Sequence, residues 1–244
     1  MIRLSIDEVG NSTLEKLSAV DQLNRWMSES IRPYLKGSIL ETGSGIGNIS
    51  SCLIADGIPL AVSDYSDHYC RLLEQKFAGN PLVKGIHQVD LADENFETDY
   101  SHLLGKYDSV YSLNVIEHIH SDGLAVANCK KLLAPGGHLV VLVPAYQTLY
   151  NSLDKELEHF RRYTRSSVKE LFRSQGLEIL NCWYFNLAGI LGWFVAGSIM
   201  HKKALPGGSL VLYNKLAPLF RVADRITGNR VGLSVIIVGR KGNP

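Results

Sequence analysis

The stretch from residue 37 to 143 constrains this chain more than any other feature. Short apolar runs alternate there with segments of helical spacing, the pattern of a parallel sheet wound by helices. Residues 38–41 read as a first strand, 43–47 as a tight turn and 48–55 as the helix that follows. A second strand at 59–63 ends at Asp64, a helical stretch covers 67–77, and a third strand at 86–89 ends at Asp90. Residues 107–113 give a fourth strand and 123–133 a helix. Pro135-Gly136-Gly137 is a turn feeding a fifth strand at 138–143, which Pro144 stops because proline cannot donate to the ladder.

Beyond Pro144 the periodicity predicts a helix over 166–175, closed by Gly176 as a glycine C-cap. A sixth strand follows at 178–185 and a seventh at 233–239. A direct hairpin between those two needs only a few residues, so 186–232 is an insertion or lid. Residues 14–34, with Trp26 and Met27, have the spacing of a helix that covers one mouth of a site. The expected organisation is a helical cap at 1–36, a core at 37–185, the lid at 186–232 and a final core strand at 233–244.

Composition excludes several classes. Formal net charge is +1 and no run of Lys and Arg exceeds two, too little for a nucleic-acid partner that needs many basic contacts. Cys52, Cys70, Cys129 and Cys182 are widely spaced, with no Cys-x-x-Cys pair, and read as reduced thiols rather than a zinc site. Acids at Asp7 and Glu8 stand where a signal peptide needs an apolar core, so the expected compartment is the cytoplasm. Residues 183–200 carry no charge. Their glycines, Ser198, Asn186 and their place between two strands argue against a membrane span. With His201, Lys202 and Lys203 behind it, the segment suits peripheral contact with anionic headgroups, a greasy pocket wall or a homodimer face.

The segment that carries chemistry is Ile39-Leu40-Glu41-Thr42-Gly43-Ser44-Gly45-Ile46-Gly47. Glycines let the backbone turn sharply out of a strand and let a ligand approach closely, while the next helix aims its N-terminus at that ligand. A dinucleotide fingerprint requires G-x-G-x-x-G, and Asn48 stands at its last glycine position. Glu41, at the strand end, suits a cationic ligand such as an α-ammonium and repels a pyrophosphate. Asp64, about 20 residues further on, is placed to take ribose hydroxyls. Asp90 can accept from an adenine amino group while Leu91 packs on the ring. Asn114-Val115-Ile116-Glu117-His118 follows the fourth strand. All of these fall at carboxyl ends of parallel strands, where open α/β sheets bind ligands.

Taken together, these segments resemble the class I S-adenosylmethionine (SAM)-dependent methyltransferases. Glu41 to Gly47 matches that family's first motif, Asp64, Asp90 and Leu113 to His118 match later ones, and Leu133-Ala134-Pro135-Gly136-Gly137 matches its LxPGG turn. The resemblance implies an α/β Rossmann-like fold, a seven-stranded sheet with its last strand antiparallel and helices on both faces. It also implies SAM as cofactor, held by Glu41, Gly43, Ser44, Gly45, Gly47, Asp64, Tyr65, Asp90, Leu91, Asn114 and Val115. A narrower likeness joins the segment around His159-Phe160-Arg161-Arg162-Tyr163-Thr164 to a bacterial subgroup of methyltransferases.

On the acceptor side, Arg161, Arg162 and Tyr163 are the expected contacts, since an arginine fork suits a carboxylate or phosphate. His159 is placed to take a proton from a hydroxyl, and His118 to line the cofactor or acceptor side as a second catalytic candidate. The same residues also read as a charged face and a loop brace. Glu117, His118 and His120 are close in sequence, but neighbours at the start of a helix diverge, so no metal is expected. The expected reaction is methyl transfer to a small-molecule or lipid-like acceptor, at oxygen. A non-catalytic scaffold of the same fold and a nicotinamide-dependent oxidoreductase are the alternatives.

Overall fold

The computed structural model describes residues 20–202 and 207–243. The first part of the expected cap helix and Lys203 therefore lie outside the described residues. The described elements are α1 (Asp21–Ile31), then β1 (Ile39–Thr42), α2 (Asn48–Ala55), β2 (Leu60–Asp64), α3 (Asp67–Lys76) and β3 (Val83–Gln88). They continue with α4 (Phe96–Asp99), β4 (Tyr107–Leu113), α5 (Asp122–Leu132), β5 (Leu133–Pro144), α6 (Ser152–Glu156), α7 (Arg165–Ser174) and β6 (Leu177–Phe185). Helix α8 (Leu187–Trp193), a wide-turned continuation at Phe194–Ile199, α9 (Gly207–Ile226) and β7 (Ser234–Lys241) complete the chain.

The seven strands form one sheet in the order β3-β2-β1-β4-β5-β7-β6. Six strands run parallel, and β7 lies antiparallel between β5 and β6. This is the Rossmann-like sheet expected from the sequence. Both faces are covered, which is why its central strands read as continuous apolar runs rather than alternating ones. Along β5, Leu139, Val141 and Val143 join one core with residues of α5 and α7. Val140 and Leu142 face the other way, into a core shared with Trp26 and Ile31 of α1, Leu53 of α2 and Leu73 of α3.

Strand β5 starts earlier than the sequence reading placed it. Leu133 already pairs with Tyr107, and the next partners are Ser109 and His138, so residues 134–137 bulge out of the ladder. Gly136 takes φ +73° there, and a Cβ on Gly137 would sit 2.9 Å from the Ala134 carbonyl oxygen. The Pro-Gly-Gly turn is thus a bulge inside the strand rather than a boundary before it.

Strand order reverses between β1 and β4. Chains leaving their carboxyl ends diverge and open a crevice, the position at which such sheets hold ligands.

Candidate active site

Strand β1 delivers Glu41 and Thr42 to that crevice, and the chain then turns through Gly43–Gly47. Two of these glycines have no substitute. Gly43 has φ +69°, and a Cβ on it would collide with the Val115 side chain. Gly47 has φ +73°, and its Cβ would stand 2.9 Å from the Phe77 ring. The loop is pinned to β2: Ser44 N–H donates to the Ser63 carbonyl at 2.9 Å and Gly45 N–H to Asp64 Oδ2 at 2.8 Å. Helix α2 starts at once after Gly47, so its unpaired N–H groups open toward the same space.

The expected cofactor acids are all here, in different environments. Glu41 is 4% exposed and forms the floor of the cleft, where it accepts from the Ser50 hydroxyl. Burial raises its pKa to about 7, against the pull of the Ser50, Ser44 and Tyr111 hydroxyls. Asp64, also buried, accepts from Gly45 N–H and from Ser66 N–H at 3.0 Å. It therefore shapes the loop as well as lining the cleft. Tyr65 is 59% exposed beside it. Asp90 Oδ1 caps Ala92 N–H at 2.8 Å, and its own N–H donates to the Tyr100 hydroxyl at 3.0 Å. Leu91 is buried, while Asn114, at φ +55°, and Val115 close the β4 side. Ser66, Tyr69, Gln88 and Tyr100 also line this half; no sequence pattern singles them out.

The other half of the cleft is built by the loop after β5. Asp154, fully buried, is its hub. Oδ1 accepts from His159 Nδ1 at 2.8 Å and Arg162 Nε at 2.7 Å, while Oδ2 accepts from Asn151 N–H at 2.9 Å and Trp193 Nε1 at 3.2 Å. Burial pushes its carboxyl up, but the bonds from His159 and Arg162 prevail and hold it below the usual range. Arg162 also donates to the Ala145 carbonyl at 3.0 Å and stacks its guanidinium over the Trp193 ring at 4.7 Å.

These bonds correct the expected acceptor contacts. Arg162 reaches the cleft wall, yet its guanidinium is consumed by Asp154 and Ala145. Arg161 and Tyr163 lie outside the cleft lining and both bind Asp122, at 3.1 Å and 3.0 Å. The segment is anchored by the bridge between Ala145 and Tyr163, which turns its basic and aromatic groups into a brace.

His159 and His118 do line the cleft, with ring centroids 4.7 Å apart and planes at 80°. His118 is open to solvent through the cleft mouth; the protein packed about its ring, and then His159, lower its pKa. Glu117 is fully buried beside them, and neither of its carboxylate oxygens has a hydrogen-bond partner among the described residues. The ligand atoms of Glu117, His118 and His159 lie within 4.8 Å of one another. Glu117 and His118 thus converge where divergence was expected, while the His120 ring turns away to meet Phe160. The sequence reading missed that the distant His159 takes its place.

Residues between β6 and β7 line the upper part of the cleft. Asp224 accepts from Asn186 N–H at 2.6 Å and Leu187 N–H at 2.8 Å, fixing the start of α8 against the end of α9. Leu191, Met200 and Leu212 line the cleft and remain 70%, 52% and 59% exposed, so the upper walls are apolar. Among the described residues no helix is long and apolar enough to cross a membrane. The whole cleft encloses about 2450 Å³. Pockets for one small ligand are typically about 300–1,000 Å³, so there is room for a cofactor and an acceptor together.

A methyltransferase-domain profile matches residues 16–181. The chain belongs to the methyltransferase-domain family. SAM is the methyl donor of this SAM-dependent methyltransferase, and the glycine cradle over a buried carboxylate held only by hydroxyls fits a ligand that brings an α-ammonium. Solved structures share the fold at low identity. One is in the complex of the Haloferax volcanii Trm112 methyltransferase activator with its methyltransferase (TM-score 0.65, 13% identity, 100% of each chain). Another is the [4+2]-cyclase SpnF (TM-score 0.60, 15% identity, 90% of this chain and 82% of that one). A third is Haemonchus contortus phosphoethanolamine N-methyltransferase 2 in complex with S-adenosyl-L-methionine (TM-score 0.59, 14% identity, 89% of this chain and 52% of that one). No curated protein matches the chain.

Proposed function

We propose that this methyltransferase transfers the SAM methyl group to a hydroxyl of a lipophilic small molecule. The observation that carries the reading is one cleft of about 2450 Å³ with a polar cradle at one end and an apolar lid at the other. In this reading Glu41, Gly43, Ser44, Gly45 and Gly47 hold the methionine end of SAM, Asp64 and Tyr65 the ribose, and Asp90 and Leu91 the adenine. Asn114 and Val115 face the sulfonium. The acceptor enters under Leu191, Met200 and Leu212, with His118 and His159 nearest its reacting oxygen. That oxygen's lone pair forms the O–C bond, the C–S bond pair stays on sulfur, and the hydroxyl proton leaves to His159 or water. Alignment and exclusion of water supply most of the rate.

Glu41 beneath the loop and Asn48 beyond it argue against a nicotinamide dinucleotide. The exposed Leu191, Phe194, Ile199 and Met200 fall within 183–203 and support peripheral lipid contact, which a liposome flotation assay tests directly.

The decisive experiment incubates the protein with methyl-labelled SAM and fractionated lipid and phenolic extracts. Label in an organic-soluble product, with S-adenosylhomocysteine (SAH) formed in equal amount, is the expected result. Protein that binds SAH but transfers label to no extract would favour the scaffold alternative.

A further inference from the structure

We propose that Glu117, His118 and His159 bind a divalent first-row transition ion whose open coordination positions face the acceptor pocket. Their ligand atoms lie within 4.8 Å of one another. Metal–ligand bonds of about 2.0–2.2 Å bring such atoms to roughly 3.0–3.5 Å, so side-chain adjustments of about an ångström complete the site.

The independent observation is Glu117. Its side chain is fully buried at the cluster, with both oxygens unpartnered among the described residues. A buried carboxylate left without a donor or cation is costly. Arg162 and His159 favour its charge only through space and do not outweigh burial; Arg162 hydrogen-bonds Asp154 and the Ala145 carbonyl instead.

One histidine is prepared as a ligand. His159 Nδ1 lies 2.8 Å from Asp154 Oδ1, and a ring that donates there directs Nε2 away from Asp154, free to take a metal ion. A carboxylate behind a ligating imidazole is the usual support of a metal site, since it fixes the tautomer and raises ring basicity. Asp154 is itself held by Asn151 N–H, Arg162 and Trp193. The two ligand-bearing segments are clipped together by Phe160 N–H donating to the Glu117 carbonyl at 2.9 Å.

Two imidazole nitrogens and one carboxylate select manganese, iron, cobalt or zinc over magnesium or calcium. Three protein ligands leave positions open, as catalytic sites do. The inference deepens the proposed function and rests on it only for the acceptor. A hydroxyl bound to the ion ionises more readily, its proton passes to water, and the bound oxygen then attacks the methyl carbon. In this version the histidines act through the metal rather than as bases.

The test is to strip the full chain with EDTA and titrate it with Co²⁺, following visible d–d absorption, with Zn²⁺ and Mn²⁺ by competition. SAH binding is measured in parallel by calorimetry. One Co²⁺ per chain is expected, with affinity lowered at least about tenfold in Glu117→Gln and His159→Gln and SAH affinity unchanged within about twofold. Glu117→Gln removes a buried charge without changing shape, so its thermal melt should equal or exceed that of the parent chain. No binding of any of the three ions by chain that binds SAH would overturn the site, as would Co²⁺ binding that survives both substitutions. Co²⁺ binding without SAH binding would keep the site and refute the methyl-transfer reading.

Discussion

At the scale of single residues, the protein places charge where solvent cannot reach it and relies on partners to tolerate it. Glu41 is the first case. Its carboxyl sits at about 7 instead of the ordinary 4.5, so between those values the folded chain holds a proton that the unfolded chain does not. Stability contributed by that proton is present below the ordinary value and fades as pH rises toward 7. A cationic ligand reverses the preference. SAH affinity should therefore climb between pH 6 and pH 8 and then level, as calorimetry at several pH values will read. Glu41→Gln should flatten that profile and weaken binding by roughly 10–100-fold, the equivalent of about 1.5–3 kcal/mol for a charge-assisted bond. Asp154 is the second case. Asp154→Asn leaves the buried Arg162 without its counter-charge and sets an NH2 group against the Asn151 and Trp193 N–H donors, and urea denaturation should show a loss of about 3–5 kcal/mol. Because bonds hold this carboxyl below its usual value, its contribution is full above that value and disappears as pH falls through the lowered one.

Among the elements, the β1–α2 turn is least tolerant of change. Gly43→Ala forces a side chain into Val115 at a left-handed φ, so SAH affinity should drop at least about tenfold while far-UV circular dichroism is retained. This turn was legible in the sequence because its glycines, the strand before it and the acids at later strand ends each carry a local signature. The strands were legible for the same reason, within a residue or two, except β3, which starts three residues earlier, and β5, where the Pro-Gly-Gly bulge masks continuous pairing. The acceptor half was not. Which of Arg161 and Arg162 points inward depends on how an irregular segment is pinned at Ala145 and Tyr163, and adjacent identical residues give no hint of that. Trp193 reaches Asp154 from a lid helix, and His159 reaches Glu117 from beyond β5; both contacts come from tertiary folding. The bonds from Asn186 and Leu187 to Asp224, which join the two ends of the segment between β6 and β7, carry no sequence signature.

At the scale of the molecule, cofactor and fold should be thermodynamically coupled, since the cradle joins β1, β2, β4 and α2. SAH at one hundred times its Kd should stabilise the protein by about 2.7 kcal/mol, raising Tm by roughly 5–10 °C in a chain of this size. Scanning calorimetry with and without ligand checks this, and the shift should shrink in Glu41→Gln. One feature of the sheet bears on how the chain reaches this state. Strand β7 is the last in sequence, yet it fills the slot between β5 and β6 and pairs with both along nearly its whole length. Until it arrives, two apolar strands present open hydrogen-bonding edges to each other across a gap one strand wide. Such edges are sticky, and a contact spanning this much sequence forms late. On the ribosome, then, the cofactor-binding half can be made and wound long before the sheet closes, and the lid, tethered by β6 and β7, takes its seat only at closure.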